Sequence, residues 1–251
     1  MQRKNLATII LAAGKGTRMK SDLAKVLHPI CGKPMLWYVV DLSQRLGSEK
    51  TVAVIGHQAE VIKETFRSHD LIYAYQKEQL GTAHAVLQAK DALLHFDGDV
   101  LILCGDVPLL LPSTIEHLLA EHQSCNNAIT VMTALLNDPG SYGRVVKNAE
   151  GDVVKIVEAR DADPEEKKIR EINTGIYCVD SIFLFEAVLK IDNNNAQKEY
   201  YFTDIFEIAH REHRKTGSYI IDEPSEAMGI NTPDDLRTAQ KIMVNRSSRE
   251  P

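Results

Sequence analysis

A glycine-rich turn surrounded by cations is the first segment of the chain that could do chemistry. Two glycines one residue apart let the backbone bend sharply and bring N–H groups close to an anion. Arg18 and Lys25, with a lysine inside the turn, add the positive charge that a triphosphate needs. Met19 stands where a dinucleotide-binding fingerprint requires Gly or Ala, and the chain has no G-x-x-x-x-G-K-[ST] loop. The turn therefore favours a phosphate cradle, with a plain tight turn as the alternative. The residues of this candidate cradle are Leu11, Ala12, Ala13, Gly14, Lys15 and Gly16.

A carboxylate and an amide follow two further segments and could hold a metal ion. Asp106 follows an apolar run at 101–104, so we expect its carboxylate at the carboxyl edge of a sheet, where open α/β folds bind ligands. Beside a triphosphate, a carboxylate most usefully holds Mg²⁺, which neutralises phosphate oxygens. Asn231 precedes a well-capped helix and offers an amide oxygen as a second ligand. A turn aspartate and an asparagine that stabilises the cap are the alternatives.

Other polar residues could recognise the rest of such a ligand. Gln76 and the backbone at Gly81 and Thr82 lie between a strand-like run and a helix, where paired donors and acceptors could read a base edge. Glu158 and Asn173 lie on later strands and supply the acceptor and the amide that a hydroxyl-rich ligand requires. Ordinary loop and strand-end positions are the alternatives for all of them.

The elements that must position these residues alternate regularly in the first half of the chain. Apolar runs rich in β-branched residues predict strands at 6–12, 51–55, 71–75 and 100–104. Amphipathic segments predict helices at 34–46, 58–67, 82–94 and 112–122, with Pro34 in the first turn of the first helix. Near-continuous apolar strands between helices indicate a parallel sheet covered on both faces, which is a doubly wound, Rossmann-like α/β fold.

The second half of the chain has a different pattern. Strands are predicted at 128–135, 144–147, 153–158 and 172–179, with a hairpin turn at 148–152, so we expect a mixed, partly antiparallel extension of the sheet. Helices are predicted at 181–190, 202–213 and 233–244. The last helix has Thr232 as N-cap, Pro233 in the first turn and Asp235 in the capping-box position. A polar loop at 193–204 with three consecutive asparagines suits a ligand lid.

Composition excludes several classes of protein. The chain has 251 residues, with 29 Lys and Arg against 35 Asp and Glu, and no basic block, so we do not expect nucleic acid as a partner. No apolar run approaches the ~18 residues of a membrane span, and no small-residue cleavage site follows the start, so we expect no membrane association and a cytoplasmic location. The four cysteines show no C-x-x-C pairing and are expected to be reduced and buried.

Eight motifs together resemble one family. They are LAAGKGTRM, KVLHPICGKPM, QLGTAHAV, GDVPLL, YGRVV, EINTGIY, NNNAQKEYYFTDI and GIN, spread between residues 11 and 231. The chain resembles the uridylyltransferase (pyrophosphorylase) domain of the bacterial bifunctional N-acetylglucosamine-1-phosphate uridylyltransferase and glucosamine-1-phosphate acetyltransferase. The first motif alone indicates only the sugar nucleotidyltransferase superfamily. The NNNAQ-x-EYY-x-TD and EINTGIY motifs are far more specific.

The resemblance implies a role for each matching residue. The backbone at Ala13 and Gly14, together with Gln76, Gly81 and Thr82, would hold the uridine. Arg18 and Lys25 would hold the triphosphate and stabilise charge at the reacting phosphorus. The implied ligands of Mg²⁺ are Asp106 and Asn231. The implied lining of the sugar-phosphate pocket is Gly143, Glu158, Asn173, Tyr201 and Thr203. In the implied reaction, the sugar 1-phosphate attacks the α-phosphorus of UTP in line and releases pyrophosphate, with no protein nucleophile or general base.

Three departures from the family bear on specificity and assembly. Cys104 replaces an aromatic residue and Lys198 replaces a glycine of the family pattern. The hexapeptide repeats of the left-handed β-helix are not in this sequence, so we expect neither acetyl transfer nor the support for trimerisation that the helix provides. We expect one domain over 1–251, with a nucleotide-binding half (1–125), a sugar-binding half (126–230) and a C-terminal helix and tail (231–251).

Four alternatives remain at this stage. Within the family, N-acetylgalactosamine or glucose 1-phosphate, or dTTP, could be the substrate. A catalytically silent nucleotide-sugar sensor could keep the same pocket. An NAD-dependent dehydrogenase would share the layout but would need the missing third glycine. A metal-dependent glycosyltransferase would need an Asp-x-Asp at a strand end, whereas Asp97-Gly98-Asp99 precedes its predicted strand.

Overall fold

A computed structural model describes residues 4–247, which form one large mixed sheet with helices packed on both of its faces. The strands are β1 (Leu6–Ala12), β2 (Pro29–Ile30), β3 (Lys33–Pro34), β4 (Lys50–Ile55), β5 (Ile72–Tyr75), β6 (Asp99–Cys104), β7 (Ile129–Leu135), β8 (Arg144–Lys147), β9 (Val153–Val157), β10 (Glu171–Asp180) and β11 (Thr216–Ile220). The α-helices are α1 (Met35–Arg45), α2 (Ala59–Thr65), α3 (Thr82–Gln88), α4 (Pro112–Cys125), α5 (Ser181–Ala187), α6 (Ile205–Arg211) and α7 (Pro233–Ser247).

The order of the strands explains where a ligand can bind. The sheet runs β11-β7-β10-β6-β1-β4-β5, and β1 pairs in parallel with both β4 and β6. The chain therefore builds outward from β1 to β5 and then returns to place β6 on the other side of β1. Loops that leave the carboxyl ends of β1 and β6 diverge there, which opens a crevice at this edge of the sheet. The predicted doubly wound α/β fold is confirmed, and residues 4–247 contain no left-handed β-helix.

Alternating residues of the buried strands supply two separate cores. On β1, Ile9 packs into the cluster that includes α3, α5 and α6, and Ile10 packs into the cluster that includes α1, α2 and α4. Both side chains are completely buried. Burying one such side chain stabilises the fold by about 2–3 kcal/mol. The rigid double-sided core thus holds the carboxyl ends of the strands in fixed positions.

The second half of the chain extends the sheet with antiparallel pairs. Strand β10 lies between β6 and β7 and is antiparallel to both. Its pairing with β7 shifts between Asn173 and Tyr177, and Gly175 within this bulge has a φ of 80°. The predicted hairpin is confirmed, because β8 and β9 pair antiparallel on either side of the turn at 148–152. The bulge interrupts the regular pairing of β10 directly after Asn173.

Several sequence-based boundaries were wrong. Pro34 lies before α1 with an extended ψ of 146° and pairs in the small β2–β3 hairpin, so it does not sit in the first helical turn. The predicted helix at 82–94 ends at Gln88, and the ends of the predicted helices at 181–190 and 202–213 are 3₁₀ turns. The capping box of α7 is confirmed, because Asp235 Oδ2 accepts from the Thr232 backbone N–H at 2.8 Å and Thr232 Oγ1 accepts from the Asp235 N–H at 3.2 Å.

The cysteines are free thiols, as predicted, but their predicted burial is only partly correct. Cys178 is buried, Cys104 and Cys125 are partly exposed, and Cys31 is exposed at the β2–β3 turn with a φ of 46°. Among residues 4–247, every helix is too short or too polar to span a lipid bilayer.

Candidate active site

The turn after β1 leaves several backbone N–H groups unused at the mouth of the crevice. Gly14 and Lys15 are exposed, and their N–H groups have no hydrogen-bond partner within residues 4–247. Gly16 has a φ of 64°, and a Cβ at this position would lie 2.5 Å from the Lys25 Cβ. Only glycine therefore fits where the turn crosses the stem of Lys25. Free, exposed amides beside a lysine make this turn suitable for an anion.

Four side chains from distant parts of the chain converge beside this turn. Lys25 Nζ lies 2.5 Å from Asp106 Oδ2 and 3.2 Å from Asn231 Oδ1. Arg18 donates to the same Asn231 oxygen at 2.8 Å. The Asn231 amide nitrogen donates to the Gly229 carbonyl at 3.3 Å, which turns the oxygen toward the two cations. The structure thus brings together both predicted cations and both predicted metal ligands.

The oxygens of this cluster are suited to a divalent cation. Asp106 follows β6, and Asn231 is held beside it because the Ile230 N–H donates to the Asp106 carbonyl at 2.9 Å. The Asp106 carboxylate and the Asn231 amide oxygen both contact the ammonium group of Lys25, so the two oxygens form a site for positive charge. Carboxylate and amide oxygens are also the hard ligands that Mg²⁺ prefers. The residues present therefore fit such an ion.

A second group of residues surrounds the loop between β5 and α3. Gln76 is only 4% exposed, and its amide nitrogen donates to the Gly81 carbonyl at 3.0 Å. Gly81 has a φ of 120°, and a Cβ there would lie 2.5 Å from the Tyr200 carbonyl oxygen. Thr82 Oγ1 accepts from the Phe202 N–H at 2.9 Å. Gln76, Gly81 and Thr82 therefore form one fixed unit that is tied to the chain at 200–202.

The predicted sugar-phosphate residues gather on the other side of the crevice. Thr203 Oγ1 donates to Glu158 Oε1 at 3.4 Å. A Cβ on Gly143 would lie 3.5 Å from both Glu158 Oε1 and the Asn173 Cβ, so the three residues are direct neighbours. The Gln197 amide donates to the Tyr201 hydroxyl at 2.7 Å. Burial raises the pKa of Glu158 above its ordinary value, because the charged carboxylate loses solvation.

A cavity of about 340 Å³ lies next to this group and shares Glu158 and Tyr201 with it. Its lining also includes Asp161, Asp204 and Glu207. Burial, together with these neighbouring carboxylates, raises the pKa of Asp204 to about 7. The phosphate-binding candidates are not part of this lining, and the excess of carboxylates opposes binding of an anion.

The sequence of the chain matches the nucleotidyl transferase family over residues 7–238. The chain belongs to the nucleotidyl transferase family. It is similar to the bifunctional protein GlmU of Desulfotalea psychrophila, with 45% identity over 251 residues that cover all of this chain and 74% of that protein. It is also similar to the proteins of the same name from Geobacillus thermodenitrificans, with 49% identity over 96% of this chain, and from Geobacter metallireducens, with 47% identity over 98%. The chain spans 52% of each of these last two proteins.

A solved structure of a UDP-glucose pyrophosphorylase complexed with UDP-glucose has the same fold. The two structures superpose over 96% of this chain and 99% of the pyrophosphorylase chain, with a TM-score of 0.76 and 18% sequence identity. The relatives confirm the resemblance that the motifs indicate, and the shared length agrees with one domain of the longer proteins.

Two features of this nucleotidyl transferase site escaped sequence reasoning. His84 Nδ1 lies 3.2 Å from the Gln76 amide nitrogen, and the only signal for it was its position inside the QLGTAHAV motif. Tyr200 binds the loop before α3 through its backbone, because its N–H donates to the Leu80 carbonyl at 2.8 Å and its carbonyl accepts from Ala83 at 2.9 Å. Backbone contacts of this kind leave no mark in residue types.

Proposed function

We propose that this chain transfers a uridylyl group from UTP to N-acetylglucosamine 1-phosphate, forming UDP-N-acetylglucosamine and pyrophosphate with Mg²⁺ as cofactor. The observation that carries the proposal is the convergence of Arg18, Lys25, Asp106 and Asn231 at the carboxyl edge of the sheet. Cations and hard oxygen ligands beside a turn with free amides suit a triphosphate with its metal. Two bacterial proteins named bifunctional protein GlmU, which are 45% and 49% identical to this chain, support the proposal.

Each group of site residues has its own role in the proposed reaction. The cradle amides and Gln76 hold the nucleotide, and Glu158, Asn173 and Thr203 hold the sugar. An oxygen of the sugar 1-phosphate forms a bond to the α-phosphorus while the bond from that phosphorus to the bridging oxygen breaks, so pyrophosphate leaves with the electron pair. The attacking oxygen is already anionic, and no proton has to move. Positioning and charge neutralisation therefore carry the catalysis.

Arg18 and Lys25 supply the positive charge from the protein. Both side chains meet at Asn231 Oδ1, at 2.8 and 3.2 Å, so they act on one small region of the crevice. Arg18 is exposed and can reach a ligand without breaking a buried contact. A bound Mg²⁺ would neutralise phosphate oxygens next to Asp106 and Asn231. The negative charge that develops on the leaving pyrophosphate would then be stabilised both by the two cationic side chains and by the metal.

The experiment is pyrophosphate release from UTP with Mg²⁺ and a panel of sugar 1-phosphates, with and without EDTA. The panel is N-acetylglucosamine, N-acetylgalactosamine and glucose 1-phosphate, and dTTP replaces UTP in a parallel series. Turnover with N-acetylglucosamine 1-phosphate that EDTA abolishes supports the proposal. Turnover only with another sugar or with dTTP keeps the reaction and changes the substrate. Binding of UTP without any turnover supports a silent sensor instead.

A contact of Cys104 near the predicted sugar pocket is the structural reason for testing several sugars. Cys104 ends β6, and its thiol donates to the Gly175 carbonyl at 3.5 Å, directly beside the β10 bulge that carries Asn173. Desolvation of the thiol, with the Asp106 carboxylate close by, raises its pKa to about 12, so the thiol stays neutral. A small side chain at this position leaves more room near the sugar than an aromatic ring would. The cytoplasmic location and the two-half organisation of the domain stay predictions.

A further inference from the structure

His84 contacts the side-chain amide of Gln76, a residue assigned above to the nucleotide side of the crevice. It lies on α3, and its Nδ1 is 3.2 Å from Gln76 Nε2. The same Gln76 nitrogen donates to the Gly81 carbonyl at 3.0 Å. Both hydrogens of the Gln76 amide therefore have acceptors inside the protein when the imidazole carries its own proton on Nε2.

The Gln76 oxygen is in the opposite situation. Within residues 4–247, Oε1 accepts no hydrogen bond. The oxygen is also not one of the fully buried polar atoms that lack a partner, so solvent can reach it. The residue as a whole is 4% exposed, so we take this oxygen as the polar atom that Gln76 leaves open to a ligand. Turning the amide over would set Oε1 against two acceptors at about the same distances, the Gly81 carbonyl oxygen and His84 Nδ1. Two acceptors at that separation repel each other.

An open acceptor selects between pyrimidine bases. Uracil presents a ring N–H between two carbonyl oxygens, and this imide N–H is the donor that Oε1 requires. Cytosine has an acceptor at the same ring position, and its only N–H donors are on the exocyclic amine. Cytosine could satisfy Oε1 only after a shift along its edge, which would move the ribose and the triphosphate out of line.

We propose that His84 is a positioning residue that makes the site select a uracil-type base over cytosine, because it holds the Gln76 amide with its oxygen toward the base. This inference rests on the proposed function. In this proposal His84 is not assigned a contact with the base or with the reacting phosphorus. Its effect reaches the ligand only through the 3.2 Å contact with Gln76.

The test compares two replacements of His84. In His84→Asn, the amide oxygen is bonded to Cγ as Nδ1 is, so it can keep an acceptor for Gln76. His84→Leu has nearly the same size and offers no acceptor. His95→Leu, at an exposed histidine outside the crevice, is the matched control. For each protein, calorimetry measures the Kd of UMP and of CMP, and pyrophosphate release gives kcat and KM for UTP and CTP.

We expect His84→Leu to raise the UMP Kd and the UTP KM about tenfold, which is the worth of one orienting hydrogen bond. Its UTP-to-CTP preference should fall by a similar factor, while kcat for UTP changes less than KM. His84→Asn and His95→Leu should keep the wild-type preference. A merely structural role of His84 would lower affinity for both bases equally. Such an equal loss, or an unchanged preference in folded His84→Leu, overturns the inference.

The outcomes also separate this inference from the proposed function. Wild-type turnover with UTP and an unaltered preference in His84→Leu leave the function in place and remove the inference. Selective UMP binding that depends on His84, without any turnover, keeps the inference and refutes the function. A wild-type protein that neither binds UMP nor uses UTP refutes both. If His84→Leu does not fold, His84→Ala provides the same loss of acceptor on a strong helix former.

Discussion

Replacing Asp204 with asparagine should stabilise the protein at alkaline pH. Burial raises the pKa of Asp204 from 3.8 to about 7, with Glu207 as the largest contribution among its charged neighbours. Between these two pH values the folded protein keeps a proton that the unfolded chain has released, so the free energy of unfolding falls as the pH rises. Above pH 7 the full cost of the buried charge is present. Asparagine has the same shape without the charge, and the Asp204 side chain makes no capping bond that would be lost.

The magnitude follows from the same two pKa values. One pH unit between them is worth about 1.4 kcal/mol, so the upper limit is about 4 kcal/mol. The side chain is partly exposed, and solvent screening reduces the expected gain to about 1–2 kcal/mol. For a chain of this size, that gain raises the melting temperature by about 2–8 °C.

The assay is thermal unfolding of the wild type and of Asp204→Asn at pH 4, 6 and 8. The two curves should nearly coincide at pH 4 and separate progressively toward pH 8. Asp70→Asn, at an exposed carboxylate outside the cavity, should show no such separation. Glu207→Gln removes one repelling neighbour and should give a smaller gain of the same sign. An Asp204→Asn protein that is less stable than the wild type at pH 8 would refute the electrostatic reasoning.

Three further substitutions test the site itself. Asp106→Asn should lower turnover by orders of magnitude at an unchanged melting temperature, because it removes the charge that the metal requires; near wild-type pyrophosphate release would remove Asp106 from the metal site. Arg18→Ala should lower kcat more than it raises the sugar KM, and steady-state kinetics with an effect on the sugar KM alone would contradict its phosphate role. Gly81→Ala should cost about 1–3 kcal/mol of stability and raise the UTP KM, since its Cβ would lie 2.5 Å from the Tyr200 carbonyl oxygen; equal melting temperatures and KM values would count against this close contact.

The sequence predicts the buried strands well because their residues carry the evidence themselves. The apolar run of β1 is buried on both faces, and its short length and β-branched residues favour a central strand over a buried helix. Strand β11 was not predicted, because Thr216, Gly217 and Ser218 lack an apolar pattern, and the strand forms only through its parallel pairing with β7. An edge strand of this composition depends on its partner and not on its own residues.

The site residues were predictable as types, whereas their mutual contacts were not. Spacing along the chain placed Asp106 after a strand and Asn231 before a helix, which suggests oxygens near a sheet edge. It does not show that Lys25 bridges both oxygens, since these contacts join residues 81 and 206 positions apart in the chain. Likewise, no pattern links Gln76 to a histidine eight positions later, because that contact depends on how α3 meets the loop before it.

The shared partner of Asp106 and Asn231 explains why a lysine and a glycine occur together in this site. Lys25 Nζ contacts the two oxygens that would ligate a divalent cation. The ammonium group and a bound metal would therefore compete for the same oxygen atoms. A lysine suits this position because its flexible stem carries a compact charge that can turn from the oxygens to a phosphate, whereas arginine has a rigid planar fork. That stem passes directly over Gly16, where any Cβ would lie 2.5 Å from the Lys25 Cβ. The second glycine of the turn is therefore required as much by the position of Lys25 as by the bend of the cradle.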